Sequence, residues 1–469
     1  MSAADTPHRV IGLRTLVNQG GHTGRVSSDR VRYARNGNVR LAYRIFGDGD
    51  ITLVWVPGWV SNVDLYDDPA TPFAPVVAHL ARQIRLVVWD KRGTGLSDPV
   101  TRIPPLDERM DDLHAVLDAV DAGRPALLGV SEGGPMSVMF AASFPDRVRS
   151  LVLYGTAARF VRELPDFPWG VPPDRMEAGA ANIGDNWGTG VLADRILGEA
   201  VKVPGVLELA GRYERASASP TIAEMLWRSI AEIDIRAILP TVRTPTLVLS
   251  RPGDRMVPTA ASRALAAGIP GAVFKALPPG AHAAFDIDDS FATEILSFVC
   301  GDTESTASER VLKAVLFTDI VGSTEQAAAA GDSRWRHQLD MHDELVDQLL
   351  AKFGGVQEKH TGDGVFALFE GPTKAARCGL ALIPALATRG IAIRVGVHIG
   401  ECERRGDEWS GLAVHTGARI AAMADGGEVL ASRTVRDLSA GSQLNFESVG
   451  SHRFKGLPED IEVFRVTTS

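Results

Sequence analysis

The chain has 469 residues, 45% hydrophobic and 23% charged, the composition of a soluble globular protein with room for two or three cores. A net charge of −9 leaves no large basic surface for nucleic acid or an anionic membrane. The three cysteines, Cys300, Cys378 and Cys402, are few, odd in number and lack metal-ligand spacing, which suggests a reducing compartment and no disulfide framework.

Residues 1–28 are polar and dotted with glycine, and read as a loose tail. The start, MSAADTPHRVIGLRT, has no apolar signal core, and no apolar run reaches eighteen residues, so no membrane span and a cytoplasmic location are expected. From residue 29 the apolar runs ITLVWVPG, RLVVWD, PALLGV and SLVLYG alternate with helical patterns. That alternation predicts a mostly parallel sheet with helices on both faces. Residues 156–240 are helical and irregular, and read as a cap inserted above the sheet. The sheet resumes at PTLVLS (245–250) and VFKALP (273–278), and a helix over DSFATEILSFVC closes a first domain at residue 300.

GDTESTASER follows, with no aliphatic side chain larger than alanine; residues 301–308 read as a linker and 309–469 as a second domain. This opens with a strand, Val311 to Phe317. A long helix follows with Trp335, Leu339, Leu345, Leu349 and Phe353 on one side, ended by Gly354 and Gly355. VQEKH and VFALFE flank TGDG as a hairpin. A helix from Thr373 to Ala387, the strand IAIRVGVHIG, a helix around HTGARIAAM and the strand EVLAS complete a pattern that fits an α+β, ferredoxin-like antiparallel sheet with helices on one side.

In the first domain LLGVSEGGPMS places Gly129-x-Ser131-x-Gly133 between a strand and a helix, the setting in which a sharp turn lifts a serine hydroxyl off the sheet. Asp254 and His282 follow the next two strands, and the order Ser, Asp, His at successive strand ends fits a hydrolytic triad. Residues 30–300 therefore resemble the α/β-hydrolase fold family, and WDKRGTGLSDP adds to the resemblance, with Asp90 and Arg92 as loop scaffolding. Where that family usually has His-Gly, this chain has Pro57-Gly58-Trp59; the resemblance implies an oxyanion hole from the backbone amides of Trp59 and Glu132.

In KAVLFTDIVGSTE a strand ends on Asp319, and Ile320, Val321, Gly322, Ser323 and Thr324 offer backbone amides to phosphate oxygens. Asp363 sits in the hairpin turn KHTGDGV, next to that strand in a ferredoxin-like sheet, so two carboxylates could hold two divalent ions. Residues 309–469 resemble the catalytic domain of class III nucleotide cyclases. The resemblance implies two divalent cations, Mg²⁺ or Mn²⁺, at Asp319, Asp363 and Ile320. It implies a base-reading Lys359, whose ammonium suits adenine N1, with Glu408 or Asp407 accepting from N6. It also implies a transition-state Arg419, a phosphate-binding Lys455, and a homodimer whose sites are shared between protomers. His415 stands where the family usually has asparagine, a departure in the ribose contact.

The leading reading is an adenylate cyclase acting on ATP, with an upstream domain that regulates it or separately hydrolyses a small ester. The alternatives are a serine esterase with a nucleotide-sensing module, and a silent upstream pocket that senses a small apolar ligand.

Overall fold

The structure, a computed structural model, describes residues 30–285, 289–301, 310–360, 364–405, 408–455, 457 and 459–468. The expected tail and all of the expected linker except Gly301 lie outside the described residues. No helix among the described residues is long and apolar enough to cross a membrane.

The first half carries β1 (Arg32–Asn36), β2 (Val39–Phe46), β3 (Thr52–Val56), β4 (Arg85–Trp89), β5 (Ala126–Val130), β6 (Ser150–Tyr154), β7 (Thr246–Ser250) and β8 (Val273–Ala276). They form one sheet in the order β1-β2-β4-β3-β5-β6-β7-β8, antiparallel as far as β4 and parallel from there on. The central strands are apolar at nearly every position because helices cover both faces. Those helices are α1 (Phe73–Leu80), α2 (Leu106–Ala119) and α3 (Gly133–Ser143), then α8 (Thr259–Gly268) and α9 (Ser290–Val299). Between β6 and β7 come α4 (Pro173–Asn186), α5 (Ala193–Leu197), α6 (Val206–Ser217) and α7 (Pro220–Glu232), within the stretch read as a cap.

The second half contains β9 (Arg310–Ile320), α10 (Ser323–Ala330), α11 (Asp332–Phe353), β10 (Gly355–His360), β11 (Val365–Phe369), α12 (Pro372–Ala387), β12 (Ile393–Arg405), β13 (Glu408–Ser410), α13 (Leu412–Met423), β14 (Val429–Ser432), α14 (Arg433–Leu438), β15 (Leu444–His452) and β16 (Ile461–Thr468). Its sheet runs β10-β11-β9-β12-β14-β16-β15, with β13 folded back on β12. The order is ferredoxin-like at its centre, but helices lie on both faces rather than one. Leu312, Ala314 and Leu316 of β9 join the apolar cluster of α11 and α12, while Val315 and Phe317 join the cluster of α13. An interior strand apolar at both parities needs cover on both sides.

The halves are packed together. Helix α3 and the turn Arg236–Thr241 touch β9, that turn also reaches β12, and buried residues of both halves form one apolar cluster. The polar part of the junction is built on α2. Helix α12 begins after Gly371 with no capping side chain of its own. Asp107 supplies the cap from the other half, its Oδ2 accepting from the backbone amides of Thr373 (2.9 Å) and Lys374 (3.4 Å). Lys374 pairs with Asp111 at 2.8 Å, and Arg377 pairs with Glu108. The approach leaves no room at position 371, where a Cβ would stand 2.3 Å from that of Asp107.

Burial raises the Asp107 carboxyl from 3.8 to about 6, with Lys374 pulling the other way. The folded protein therefore holds this proton more tightly than the unfolded chain. The resulting stabilisation is full below about pH 4 and is lost as the pH rises through 6. Asp107→Ala is expected to cost about 1–2 kcal/mol by removing the cap. Asp107→Asn, which keeps the acceptor and cannot titrate, is expected to flatten the pH dependence of thermal stability between pH 4 and 6. An unchanged melting profile in both variants would show that the cap contributes nothing.

Candidate active site

Ser131 lies between β5 and α3 with φ +52°, a left-handed conformation that a non-glycine residue holds only at a cost. The turn is kept by Ser131 N donating to Tyr154 O at 2.9 Å and Gly134 N donating to Ser131 O at 3.0 Å. At Gly133 a Cβ would come within 2.5 Å of the Val56 and Pro57 carbonyl oxygens, so the β3 end and the elbow can meet only across a glycine. The loop Pro57–Trp59 lies beside the serine: the place of a Cβ on Gly58 is 3.7 Å from Ser131 Oγ.

Asp254 follows β7 and is held by the Met256 and Val257 amides, which donate to Oδ1 at 2.7 and 2.9 Å. Its Oδ2 is 2.7 Å from His282 Nδ1. Tyr154 Oη donates to the His282 carbonyl at 2.9 Å, fixing the histidine's own backbone. Ser131 and His282 both line a cavity of about 140 Å³ whose other walls are mainly apolar, among them Trp59, Tyr66, Phe73, Phe160, Met176, Trp227 and Phe285. An imidazole tied through Nδ1 to a carboxylate leaves Nε2 to take a hydroxyl proton. The cap roofs this cavity: Trp59 donates to the Ala223 carbonyl at 2.9 Å, and its ring meets those of Trp187 and Trp227 at 5.1 and 5.3 Å.

Glu132, expected to contribute only its amide, has a buried side chain ion-paired to Lys91 and Arg109. Burial alone would raise its carboxyl, but the two cations outweigh that and hold it below its usual value. Lys91 is itself lowered, by burial and by Arg109, because two cations share one carboxylate. Asp90 is scaffolding, as expected: it accepts from Ser61 Oγ (2.7 Å), Leu96 N (2.9 Å) and Val63 N (3.1 Å), and burial raises it to about 6. Arg92 is ion-paired to Asp112.

In the second half Asp319 is the penultimate residue of β9, and Val365 N donates to Thr318 Oγ1 at 3.0 Å, which brings the β10–β11 hairpin end beside it. Asp363 and Asp407 lie outside the described residues, as does the side chain of Thr324. Arg394, directly across on β12, contacts Asp319 Oδ2 through Nε at 2.8 Å and through Nη2. A cationic group therefore already stands against this carboxylate, and carboxylate oxygen is the donor a hard divalent cation takes. Among the described residues no group of three or more His, Cys, Asp and Glu side chains converges as a metal cage.

Lys359 and Glu408 meet, Nζ to Oε1 at 3.2 Å, in the open. Lys359 is the cross-strand partner of Phe366, which is that of Phe317, and the two phenyl rings stack at 4.7 Å. Asp319 lies two residues beyond Phe317, so Lys359 and Asp319 emerge from the same sheet face, two strands apart. His415 and Arg419 are both exposed, one turn apart on α13, which covers part of that face; Lys455 is exposed in the segment before β16. Ile320 is buried, Val321 and Gly322 are exposed, and Ser323 begins α10. No hydrogen bond or ion pair among the described residues joins Asp319 to Lys359, Glu408, His415 or Arg419.

Sequence reasoning missed Arg394, Lys91, Arg109 and Tyr154. Arg394 was open to discovery: pairing IAIRVGVHIG antiparallel to KAVLFTDI sets a charge opposite Asp319. The other three act across the tertiary structure and have no local signature.

The profile of a family described as alpha/beta hydrolase fold matches residues 51–289. The pimeloyl-(acyl-carrier protein) methyl ester esterase of Stenotrophomonas maltophilia (strain R551-3) is 31% identical over 257 residues, which cover 53% of this chain and 93% of that protein. The structure titled bromoperoxidase from Bacillus anthracis superposes with a TM-score of 0.51 at 20% identity, over 58% of this chain and 100% of that one, a likeness of fold. The C-terminal part matches a protein of Rhizobium meliloti (strain 1021) named, provisionally, adenylate cyclase 3, at 30% identity over 166 residues, 33% of this chain and 28% of that protein.

Proposed function

The chain belongs to the alpha/beta hydrolase fold family, and on that premise we propose that its N-terminal half is a serine hydrolase of carboxylic esters. The observation that carries this is the strained Ser131 elbow facing the same cavity as a histidine held 2.7 Å from Asp254. Ser131 Oγ attacks the ester carbonyl as His282 takes its proton, and the backbone amides of Trp59 and Glu132 receive the charge on the carbonyl oxygen. His282 returns the proton to the departing alcohol. It then draws a proton from water as that water attacks the acyl-serine and passes it to the departing Ser131 Oγ, releasing the acid and restoring Ser131. Purified protein is expected to cleave a short-chain p-nitrophenyl ester, and a fluorophosphonate is expected to phosphonylate Ser131 with loss of fluoride, adding the phosphonyl mass to the peptide that bears it. Labelling elsewhere, or none, would sink this reading.

A second activity is supported by the Lys359–Glu408 pair and by the relative of the C-terminal part. In this reading the C-terminal half cyclises ATP: the ribose 3′ oxygen attacks the α-phosphorus and pyrophosphate leaves. Lys359 donates to adenine N1, and Glu408 accepts from N6. Arg419 and Lys455 take the phosphate charge, and His415 donates to the ribose. Asp319, Asp363 and Ile320 would hold two divalent cations, which when bound lower the pKa of the 3′-hydroxyl and balance charge on the leaving group. Asp319 Oδ1 is the oxygen that Arg394 leaves for them. Incubation with ATP and Mn²⁺ is expected to give cyclic AMP, identified by mass. Its absence with both cations tested would leave the C-terminal half as a nucleotide-sensing module.

A further inference from the structure

Beside the Ser131 cavity lies a second cleft, of about 420 Å³, between the cap and the segment after β7. Four arginines line it, Arg162, Arg175, Arg195 and Arg255, against a single carboxylate, Asp194. Asp194 is engaged by Arg255 at 3.1 Å, and Arg162 donates through Nε to the Gly170 carbonyl at 3.3 Å. Among the described residues neither Arg175 nor Arg195 has an ion-pair partner. Four arginines against one aspartate gives a local excess of three positive charges in a chain whose net charge is −9. Arg162, Arg175 and Arg255 are exposed and Arg195 is half-buried, so their charged heads can meet an anion in the cleft, which would bind through short, charge-assisted hydrogen bonds.

The cleft is joined to the chemistry by its walls. Val171 and Met256 line both it and the cavity of Ser131, and Met256 is the flexible, unbranched kind of side chain that can turn aside. A molecule could lay an apolar stretch in the cavity, pass Met256 and set a charged end among the arginines. We infer that the hydrolase substrate is an ester whose apolar acyl chain ends in an anionic group, a carboxylate or a phosphate, bound by Arg175 and Arg195. The inference rests on the ester-hydrolase reading and narrows its substrate class.

The test compares p-nitrophenyl monoesters of straight-chain dicarboxylic acids, six to ten carbons long, with neutral acyl esters of equal length. In the native protein the ratio of kcat/KM, anionic over neutral, is expected to exceed one and to peak at one chain length. In the Arg175→Ala/Arg195→Ala variant that ratio is expected to fall about tenfold or more, through KM, and added salt should erode it only in the native protein. Binding of the monomethyl esters of the same diacids to the Ser131→Ala protein, followed by calorimetry, needs no turnover. If that binding depends on the two arginines while no ester is cleaved, the anion site stands and the hydrolase reading falls. If neutral esters are cleaved but the ratio is indifferent to the arginines at every length, the hydrolase reading stands and this inference is overturned. Absence of arginine-dependent binding in the calorimeter overturns it as well.

Discussion

Ser131→Ala is expected to lower ester hydrolysis by roughly 10⁴-fold or more while leaving cyclic AMP formation at its native rate. The loss is that large because the acyl intermediate cannot form, and no neighbouring hydroxyl shares the elbow. The fold should not suffer. Ser131 sits at φ +52°, and alanine bears the same strain there as serine. Glycine does not, so Ser131→Gly is expected to be as inactive as the alanine variant and more stable, by about 1 kcal/mol. An inactive protein with a raised melting temperature would separate loss of the nucleophile from loss of structure. Hydrolysis that persists in both variants would mean that the activity does not use this serine.

The second large effect concerns the C-terminal half. Asp319→Ala and Lys359→Ala are each expected to remove nearly all cyclase activity, and a mixture of the two inactive proteins to recover part of it. Within one chain the two residues emerge two strands apart, no hydrogen bond or ion pair among the described residues joins them, and Lys359 is turned to Glu408. A two-fold pairing would set the carboxylates proposed to hold metal in one protomer against the Lys359–Glu408 pair proposed to read the base in the other. In a mixed dimer one site collects both lesions and the other none. Random mixing makes half of the dimers mixed, so about a quarter of all sites should be intact. Recovery near that level, after subunit exchange has been shown by mass, supports a shared site. Exchange without recovery would place every group in one protomer.

The parts legible in the sequence were those carried by local pattern. The six strands read from ITLVWVPG to VFKALP all form; β3 to β7 are largely buried and leave apolar runs, while β8 is an edge strand and mostly exposed. Ser131, Asp254 and His282 could be proposed together because the hydrolase topology returns successive strand ends to one edge, and the structure does bring His282 and Asp254 into contact. Strands β15 and β16 were not seen: LNFESVGSH has no fully buried residue, and its short alternation of half-buried and exposed positions breaks at the bulge between Ser448 and Gly450. The helix around HTGARIAAM was read, but its place on the second face of the C-terminal sheet was not, because only its packing on Val315 and Phe317 of β9 assigns it there. The contact of Asp107 with Thr373 joins residues 266 positions apart, and neither flank carries a motif. The C-terminal motifs speak clearly in sequence, yet the structure adds less to them, since Asp363 and Asp407 lie outside the described residues.

The single apolar cluster that runs through both halves also governs how the protein can be taken apart. Separating the halves between residues 301 and 309 would strip the turn Arg236–Thr241 from β9 and β12 and leave α12 without its cap. The isolated C-terminal piece would expose greasy surface at the Arg310 end of β9, the end remote from Asp319, and sticky surface of that kind promotes association. Its oligomers would then mix aggregation with whatever pairing the intact chain uses. Kinetic comparison of the halves calls for point variants in the full-length protein rather than for fragments.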